Sequence, residues 1–355
     1  MEHDTEVSPS HRGETGRGRR GRRLRRLRRA AVYGLLVLAV AGCGAGYWLY
    51  SSLEKNIKGI AIDKALGDDR PSRQPAAGQN ILVLGSDSRA GANAALKTGT
   101  VSGARSDTAL VIHVAQDRKK AVAVSIPRDT LVTRPRCTGP DGTEVAPAQR
   151  VMFNSVYSQG GPACVVKTVE HMSRVRIDHY VEIDFSGFKE LVDAMGGVTV
   201  TVDRDIHDSF SGLDLTAGTH RLNGIQSLRF VRTRHGIGDG SDLGRIRLQQ
   251  QFVLALLNEV KKQKLLENPA KAYRIADSLT AALTTDSGLA SLTGLMEFGR
   301  SMSEVDPSAV EMIMLPVVYD KHDPNRVVPA EPQATALWKT IRTDAPVPAS
   351  AKKPR

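Results

Sequence analysis

NILVLGSDSR, residues 80–89, is the stretch that decides the fold. A continuous apolar run that ends in Gly-Ser is typical of a β-strand buried on both faces. Open α/β sheets bind their ligands just beyond the carboxyl ends of such strands. Asp87 and Arg89 are therefore expected at a functional edge of a sheet. A polar turn, in which Asp87 only caps backbone amides, is the structural alternative for the same residues.

Strands and helices alternate along the rest of the chain. Strands are predicted at residues 108–115, 121–127, 179–185, 198–203 and 310–317. Helices are predicted at residues 151–173, where a Gly-Gly-Pro break interrupts the pattern, and at residues 186–197, 245–266 and 270–304. This alternation predicts a layered α/β/α domain with a central mixed β-sheet.

The amino-terminal segment has a different character. Residues 1–29 contain ten arginines and four acids, so they carry six of the eleven net positive charges of the chain. Residues 30–50 have no charged side chain. As a helix, this stretch is long enough to cross a bilayer. The positive-inside rule then predicts a single-pass protein of the cell membrane, with a cytoplasmic amino terminus and an extracytoplasmic body.

Domain boundaries follow from these changes in composition. We predict a basic cytoplasmic tail (1–29), an anchor (30–50), a juxtamembrane linker (51–78), a folded extracytoplasmic domain (79–335) and a disordered tail (336–355). A cleaved signal peptide, or a lipoprotein signal that ends at Cys43, is the alternative to the anchor. The arginine run is expected to set topology and to contact anionic lipid at the cytoplasmic membrane, and no nucleic-acid partner is expected.

Cysteine usage agrees with an extracytoplasmic location. Cys137 and Cys164 flank a loop rich in Pro and Gly. An even pair in an oxidising compartment predicts a disulfide that fixes this loop. The chain has no CxxC and no Cys/His cluster with zinc spacing, which argues against a zinc site.

Acidic side chains are expected to meet at the edge of the sheet. ARSDTALVIHV brings Arg105 and Asp107 to the start of the second strand. If that strand is antiparallel to the first, Asp107 and Asp87 lie at the same end of the sheet. Two neighbouring carboxylates repel unless a cation lies between them, and Mg²⁺ binds through one or two carboxylates together with phosphate oxygens.

Arginines follow the same pattern. SIPRDT places Arg128 after the third strand, and LRFVRTRH, residues 228–235, predicts a strand with Arg232 and Arg234 on one face. Arg245 and Gln249 share a face of the helix that follows. Several arginines near one divalent cation suit a pyrophosphate. The chain contains no P-loop, GxSxG or HExxH, which argues against the commonest hydrolases.

Taken in order, NILVLGSDSR, RSDTALVIHV, VSIPRDT, FNSVYSQGG, VEIDFSGFKELVDAMGGV, FVRTRH and DLGRIRLQQQF resemble the motifs of the LytR-CpsA-Psr family. The resemblance covers roughly residues 79–260. It implies a phosphotransferase that moves a glycopolymer from a polyprenyl-pyrophosphate carrier onto a peptidoglycan sugar hydroxyl. It also implies assistance by Mg²⁺ and an apolar tunnel in the domain for the lipid tail.

Carried over by motif, the resemblance implies roles for the residues already singled out. Asp87 and Asp107 would be the metal ligands or lie beside the metal, and Asp87 could instead be the general base. The predicted catalytic residues are Asp87, Asp107 and Arg128. The pyrophosphate would be bound by Arg89, Arg105, Arg128, Arg232, Arg234, Arg245 and Gln249. Met152 and Leu248 stand where many members have Lys and Arg, respectively.

Two other functions remain open at this point. A polyprenyl-pyrophosphate phosphatase would use the same residues, with water in place of the sugar hydroxyl. A non-catalytic envelope-stress regulator or polymer-binding scaffold would not require paired aspartates. The expected partners are therefore a polyprenyl-pyrophosphate-linked glycopolymer, peptidoglycan and the cytoplasmic membrane.

Overall fold

The computed structural model describes residues 17–73, 78–86, 106–234, 242–263 and 267–352. The chain divides into two compact units, Met1–Ser52 and Leu53–Arg355. Each unit is described by itself below.

Helix α1 (Arg17–Asn56) provides the described residues of the first unit, and its last turn belongs to the second. The segment Val32–Asn56 is long and apolar enough to cross a membrane. Its large apolar side chains are exposed; the exposed fraction is 70% for Leu38 and 75% for Tyr47. These features fit the anchor predicted at residues 30–50.

Short β-strands recur throughout the second unit. In chain order they are β1 (Lys58–Ile60), β2 (Gln79–Ser86), β3 (Ser106–Val114), β4 (Ala121–Ser125), β5 (Leu131–Arg134), β6 (Cys137–Thr138), β7 (Glu144–Val145), β8 (Ala148–Met152), β9 (His179–Asp184), β10 (Val198–Val202), β11 (Ile206–Asp208), β12 (Leu213–Leu215), β13 (Gly218–Leu222), β14 (Leu283–Asp286), β15 (Val310–Met314), β16 (Val317–Tyr319) and β17 (Val327–Pro329). Among the described residues, seven of them form one sheet in the order β1-β14-β9-β2-β3-β4-β15. The pairs β1/β14, β9/β2 and β4/β15 are parallel and the other neighbours are antiparallel, so the sheet is mixed, as predicted.

Helices cover both faces of this sheet. They are α2 (Ile62–Leu66), α3 (Phe153–Ser173), α4 (Phe185–Met195), α5 (Gly224–Arg232), α6 (Asp242–Lys262), α7 (Pro269–Ala282), α8 (Leu292–Met302), α9 (Gln333–Thr343) and α10 (Ala349–Lys352). On one face, α2, α3 and α9 pack against Leu82, Leu84 and Val111. On the other face, α8 packs against Ile81 and Val181. The predicted α/β/α layering is confirmed.

A second apolar core lies beside the sheet. Helices α4 to α6 and strands β10 to β13 bury Leu222, Phe230 and Phe252 there. The strand predicted at residues 198–203 belongs to this core, since β10 pairs with β13 and not with a strand of the central sheet. This core carries the elements that bring the basic side chains to the candidate site.

The predicted disulfide is present. Cys137 in β6 is bonded to Cys164 in α3, with a Cα–Cα distance of 5.3 Å. The predicted Gly-Gly-Pro break is also present, because Gly161 has a φ of 67° within α3. A Cβ atom at this glycine would lie 2.6 Å from a side-chain carbon of Pro140, so the helix break lets the β6–β7 loop pack closely.

Two predicted boundaries are wrong. The linker predicted at residues 51–78 contains β1, which pairs with β14, and α2, whose Ile62 and Leu66 lie in the core. The tail predicted to be disordered at residues 336–355 continues α9 and includes α10. Val347 and Ala351 are buried against the α3 side of the sheet, so apolar contacts order this segment despite its polar, Pro-containing sequence.

Candidate active site

Several strand ends meet at one edge of the central sheet. The register pairs Ser86, the last residue of β2, with Asp184 of β9 and with Ser106 of β3. Two strands farther on, Ser125 ends β4 beside Met314 of β15. The carboxyl ends of β2, β9, β4 and β15 and the amino end of β3 therefore share this edge, which we call the active edge.

Of the two aspartates predicted from the sequence, Asp107 lies in β3, the strand that begins at this edge. Strands β2 and β3 are antiparallel, as the prediction for the two aspartates requires. The register shifts between Gly85 and Ser86, and Asp107 lies in β3 opposite this irregularity. The side chain of Asp107 lies outside the described residues.

Three more predicted residues, Asp87, Arg89 and Arg105, lie wholly outside the described part of the chain. Asp87 directly follows Ser86, the last residue of β2. Among the described residues, no group of three or more His, Cys, Asp or Glu side chains is arranged to hold a metal ion.

Arg128 follows β4 at the active edge and is half-buried. Its backbone carbonyl accepts a hydrogen bond from the amide of Asn154 at the start of α3, which fixes the loop. The guanidinium lies 3.6 Å from Asp129, and Arg326 approaches the same carboxylate at 3.6 Å. Asp129 therefore lies between two arginines and partly neutralises them, a contact that the sequence did not reveal.

The predicted strand at residues 228–235 is wrong, because residues 228–232 belong to helix α5. The side chain of Asn223 caps this helix by accepting a hydrogen bond from the backbone amide of Gln226. In turn, the side chain of Gln226 accepts a hydrogen bond from the backbone amide of Asn223. This reciprocal capping box fixes the helix start and favours helix over strand downstream. Arg232 is the last helical residue and Arg234 lies two residues beyond it, so a shared strand face does not exist.

Both arginines nevertheless have defined positions near the end of α5. The guanidinium of Arg232 lies over the ring of Phe185, 5.4 Å from its centroid, in a cation–π contact. The backbone amide of Arg234 donates to the Asp208 carboxylate at 2.9 Å. Asp208 also accepts from the amides of Phe210 and Ser211, so one buried carboxylate fixes the chain on both sides of the second core.

Helix α6 joins the other basic elements together. Arg245 and Gln249, one turn apart as predicted, are both buried. The amide of Gln249 donates to the carbonyl of Val231 in α5 at 3.0 Å, and that of Gln250 donates to the hydroxyl of Ser125 in β4 at 3.0 Å. The elements that carry Arg128, Arg232 and Arg245 are thus connected by two adjacent glutamines. Gln250 was not singled out from the sequence, and its only signal was its place in a glutamine run.

An apolar surface leads to the active edge. Val83, Ile112, Ile183 and Met314 point away from α3 and are only half-buried, although the strands of the first three lie inside the sheet. We call this surface the open sheet face. Leu254 of α6 is also half-buried and lies one turn beyond Gln250, on the side of the helix that contacts β4.

A buried carboxylate also lies close to the active edge. Glu182, two residues before the end of β9, accepts hydrogen bonds from the hydroxyls of Tyr157 and Tyr180, each at 2.7 Å. Burial, together with the neighbouring Glu182 carboxylate, raises the pKa of Tyr180 well above its ordinary value of 10.0. The Tyr180 phenol remains a protonated donor at neutral pH, and the hydrogen bond from the Tyr157 hydroxyl joins α3 to the sheet. The sequence analysis had not identified this group.

Comparison with known proteins agrees with this arrangement. The profile of the LytR_cpsA_psr family matches residues 49–343. The chain is 30% identical over 315 residues to the cell wall biosynthesis protein LcpA of Corynebacterium glutamicum, a match that covers 81% of this chain and 59% of the relative. It is 30% identical over 288 residues to the polyisoprenyl-teichoic acid–peptidoglycan teichoic acid transferase TagT of Bacillus subtilis. This match covers 78% of this chain and 82% of the relative.

Solved structures show the same fold. The LytR-Csp2A-Psr enzyme from Actinomyces oris superposes with a TM-score of 0.59 at 24% identity, over 80% of this chain and 95% of that one. The chain spans 59% and 52% of the lengths of the relatives LcpA and LcpB of Corynebacterium glutamicum. Because the family profile matches residues 49–343, most of the chain, the chain belongs to the LytR_cpsA_psr family.

Proposed function

We propose that this chain is a membrane-anchored phosphotransferase that moves a glycopolymer from a polyprenyl-pyrophosphate carrier onto peptidoglycan. The observation that carries the proposal is that Arg128, Arg232 and Arg245 lie on elements joined by the side chains of two glutamines, next to the open sheet face. A pyrophosphate with a long hydrocarbon tail has the matching chemistry. Guanidinium groups bind phosphate oxygens in bidentate pairs, and apolar surface favours the polyprenyl chain.

The relatives support this substrate class. The Bacillus subtilis protein is named as a transferase of teichoic acid from a polyisoprenyl carrier to peptidoglycan, and another relative as a cell wall biosynthesis protein. In the proposed reaction, a peptidoglycan sugar hydroxyl attacks the phosphorus that carries the glycopolymer. The P–O bond to the second phosphorus breaks, and polyprenyl phosphate leaves. The hydroxyl proton passes to a general base, a role that Asp87 could take instead of binding the metal, and the glycopolymer ends in a phosphodiester on peptidoglycan.

Magnesium is part of the proposal. Asp107 lies beside the strand irregularity next to Ser86, and Asp87 follows Ser86 in sequence, so two carboxylates come from neighbouring strand ends. Carboxylate oxygens are the hard ligands that Mg²⁺ prefers, and this donor set fits that ion. We expect Asp87 and Asp107 to hold one Mg²⁺, which when bound would offset negative charge on the pyrophosphate. Arg128, Arg232, Arg234, Arg245 and Gln249, with Arg89 and Arg105, would orient the substrate.

The proposed location is the outer side of the cytoplasmic membrane. An amino-terminal helix that could span the membrane, with arginines before it, supports this orientation. The Cys137–Cys164 disulfide supports an oxidising compartment. Strand β1 runs antiparallel to β2, so β1 begins at the active edge.

The test uses the full chain in dodecyl maltoside micelles with Mg²⁺, a polyprenyl-pyrophosphate oligosaccharide and peptidoglycan fragments. We expect a phosphodiester-linked product and one polyprenyl phosphate per transfer, detected by mass spectrometry, and loss of both with EDTA. Release of a free phosphorylated sugar without linked product would instead identify a phosphatase. Tight binding of the oligosaccharide without turnover would identify a scaffold.

A further inference from the structure

A cavity of about 430 Å³ lies at the edge of the sheet opposite the active edge. It is formed where β2 and β9 begin, near Asn80 and Asp178, and where α3 and α9 end. The eight residues of β2 separate this edge from the active edge, a span of about 26 Å at 3.3 Å per residue. We call it the basic cavity. Its volume is within the range of small-molecule sites in proteins.

Cations outnumber acids in the lining of this cavity. Three acids are present, and two are already paired: Glu170 is 2.7 Å from Arg70, and Asp178 is 2.9 Å from Arg73. The cationic lining residues are Arg70, Arg73, Lys167, Arg174, Arg176 and Arg342. After these two pairs, four cations remain against the single acid Asp69.

Three of these cations, Lys167, Arg174 and Arg342, have no acidic partner within salt-bridge distance among the described residues. They come from two different helices and from the residue that ends α3. Desolvation by burial, together with the nearby charge of Arg174, lowers the pKa of Arg342 from its ordinary value. Like charges are thus held close to one another around an open space.

Structural roles account for only part of this cluster. The carboxyl end of a helix attracts cations, and Arg342 donates from Nη1 to the carbonyl of Ser173 near the end of α3. Arg174, however, has a φ of 56°, the left-handed region that favours glycine or asparagine. A helix end needs no arginine in that conformation, and it does not require Lys167, which lies two turns earlier.

We propose that the basic cavity binds a phosphate oxyanion carried on a sugar-sized or glycerol-sized unit, with Lys167, Arg174 and Arg342 as its ligands. Arginine forks and a lysine ammonium are the side chains that bind phosphate oxygens. Such a group could come from a free phosphorylated metabolite or from a repeat of an anionic glycopolymer. This inference goes beyond the transfer reaction and does not depend on it, because the cavity lies at the far edge of the sheet.

The test is isothermal titration calorimetry on the full chain in dodecyl maltoside micelles, with three probes: glucose 1-phosphate, a hexamer of glycerol phosphate, and glucose as the neutral reference. An Arg232→Ala background weakens anion binding at the active edge. In that background we expect both anionic probes to bind and glucose not to bind. Tighter binding of the hexamer than of glucose 1-phosphate would identify the polymer as the source, and the reverse would identify a free metabolite.

Variants that remove positive charge test whether the measured heat of binding comes from the basic cavity. Arg174→Gln with Arg342→Gln should weaken binding at least about 10-fold, as expected for the loss of charge-assisted bonds. Lys339→Gln removes an exposed charge on α9 outside the cavity and should leave the affinity unchanged. Lys167→Gln provides a second test if the double variant unfolds. Equal affinity in the cavity variants and the Lys339 control, or no binding of either anionic probe, would overturn the proposal.

Discussion

The side-chain amide of Gln250 donates a 3.0 Å hydrogen bond to the hydroxyl of Ser125, which joins helix α6 to the last residue of β4. Ser125 lies three residues before Arg128, and Gln250 lies five residues after Arg245 in α6. The bond therefore sets how far apart two elements proposed to bind phosphate lie, although neither Ser125 nor Gln250 carries charge.

Loss of the Gln250–Ser125 bond should reduce transfer more than it reduces stability. We expect Gln250→Ala to lower kcat by about 10-fold to 100-fold, since small displacements of positioned groups have effects of this size. Its free energy of unfolding should fall by only about 1 kcal/mol. The measurement is a double-mutant cycle with Ser125→Ala, in which the two effects on kcat should be far from additive. Additive effects would mean that the bond does not couple the two elements.

Arg232 should be required for catalysis because its guanidinium is held over Phe185 at the end of α5. Arg232→Ala should lower kcat/KM by about 100-fold or more, the usual cost of removing a group that stabilises charge in the transition state. Arg229→Ala, an exposed position one turn earlier, is the matched control and should have little effect. Arg232→Lys should recover part of the loss, since a lysine keeps the charge without the fork. Equal activity of the two alanine variants would remove Arg232 from the site.

Replacement of both Cys137 and Cys164 by alanine should destabilise the protein. The bond closes a sequence separation of 27 residues, for which the chain-entropy account gives about 3–4 kcal/mol. Urea unfolding of the double variant should show this decrease, and reduced wild-type protein should behave in the same way. Mass spectrometry should find the two cysteines linked in exported protein, and two free thiols there would contradict the assignment.

Asp286 should make stability depend on pH in the acidic range. Burial raises the pKa of this carboxyl, but hydrogen bonds from His179 and from the amides of Tyr180 and Gly288 lower it overall, below its ordinary value of 3.8. A lowered pKa in the folded state stabilises the fold above 3.8, and this contribution is lost as the pH falls through the folded-state pKa. Asp286→Asn should therefore be less stable than wild type at pH 7.

The measurement for Asp286 is urea unfolding of both proteins between pH 3 and pH 7. At pH 7 we expect the free energy of unfolding of Asp286→Asn to be about 1–3 kcal/mol lower than that of wild type, because buried donors are left poorly paired. This difference should narrow towards pH 3. A difference that stays constant over this range would show that the charge of Asp286 does not contribute.

Removal of residues 345–355 should destabilise the fold, although these residues have the composition of a tail. Val347 and Ala351 are buried, and Lys352 pairs with Glu311 of β15 at the surface. Loss of their apolar contacts should cost about 2–3 kcal/mol. The control is removal of residues 353–355 alone, which should leave the thermal midpoint unchanged. Equal midpoints for both truncations would show that the segment contributes nothing.

The central strands could be predicted because continuous apolar runs are typical of strands buried on both faces of a sheet. NILVLG and TALVIHV therefore identified β2 and β3, whereas their antiparallel pairing was only assumed and is shown by the structure. The end of α5 was mispredicted because, over so short a stretch, the spacing of Leu228, Phe230 and Val231 fits the period of a helix as well as that of a strand. The deciding signal was Asn223 followed three residues later by Gln226, which marks the start of a helix. The contacts Asp129–Arg326, Glu182–Tyr157 and Gln250–Ser125 join residues that are distant in sequence, so no local pattern could identify these contacts.

Strand β1 has a consequence for how a soluble form of this protein should be made. A fragment that begins at residue 79 would keep every predicted motif but would lose β1 and α2. The edge of β14 would then present unpaired backbone groups, a template for pairing between chains, above an apolar core missing Ile62 and Leu66. We expect such a fragment to aggregate, whereas one that begins at Leu53 keeps β14 paired with the short edge strand β1. The residues just after the anchor therefore protect the sheet edge and are not a dispensable spacer.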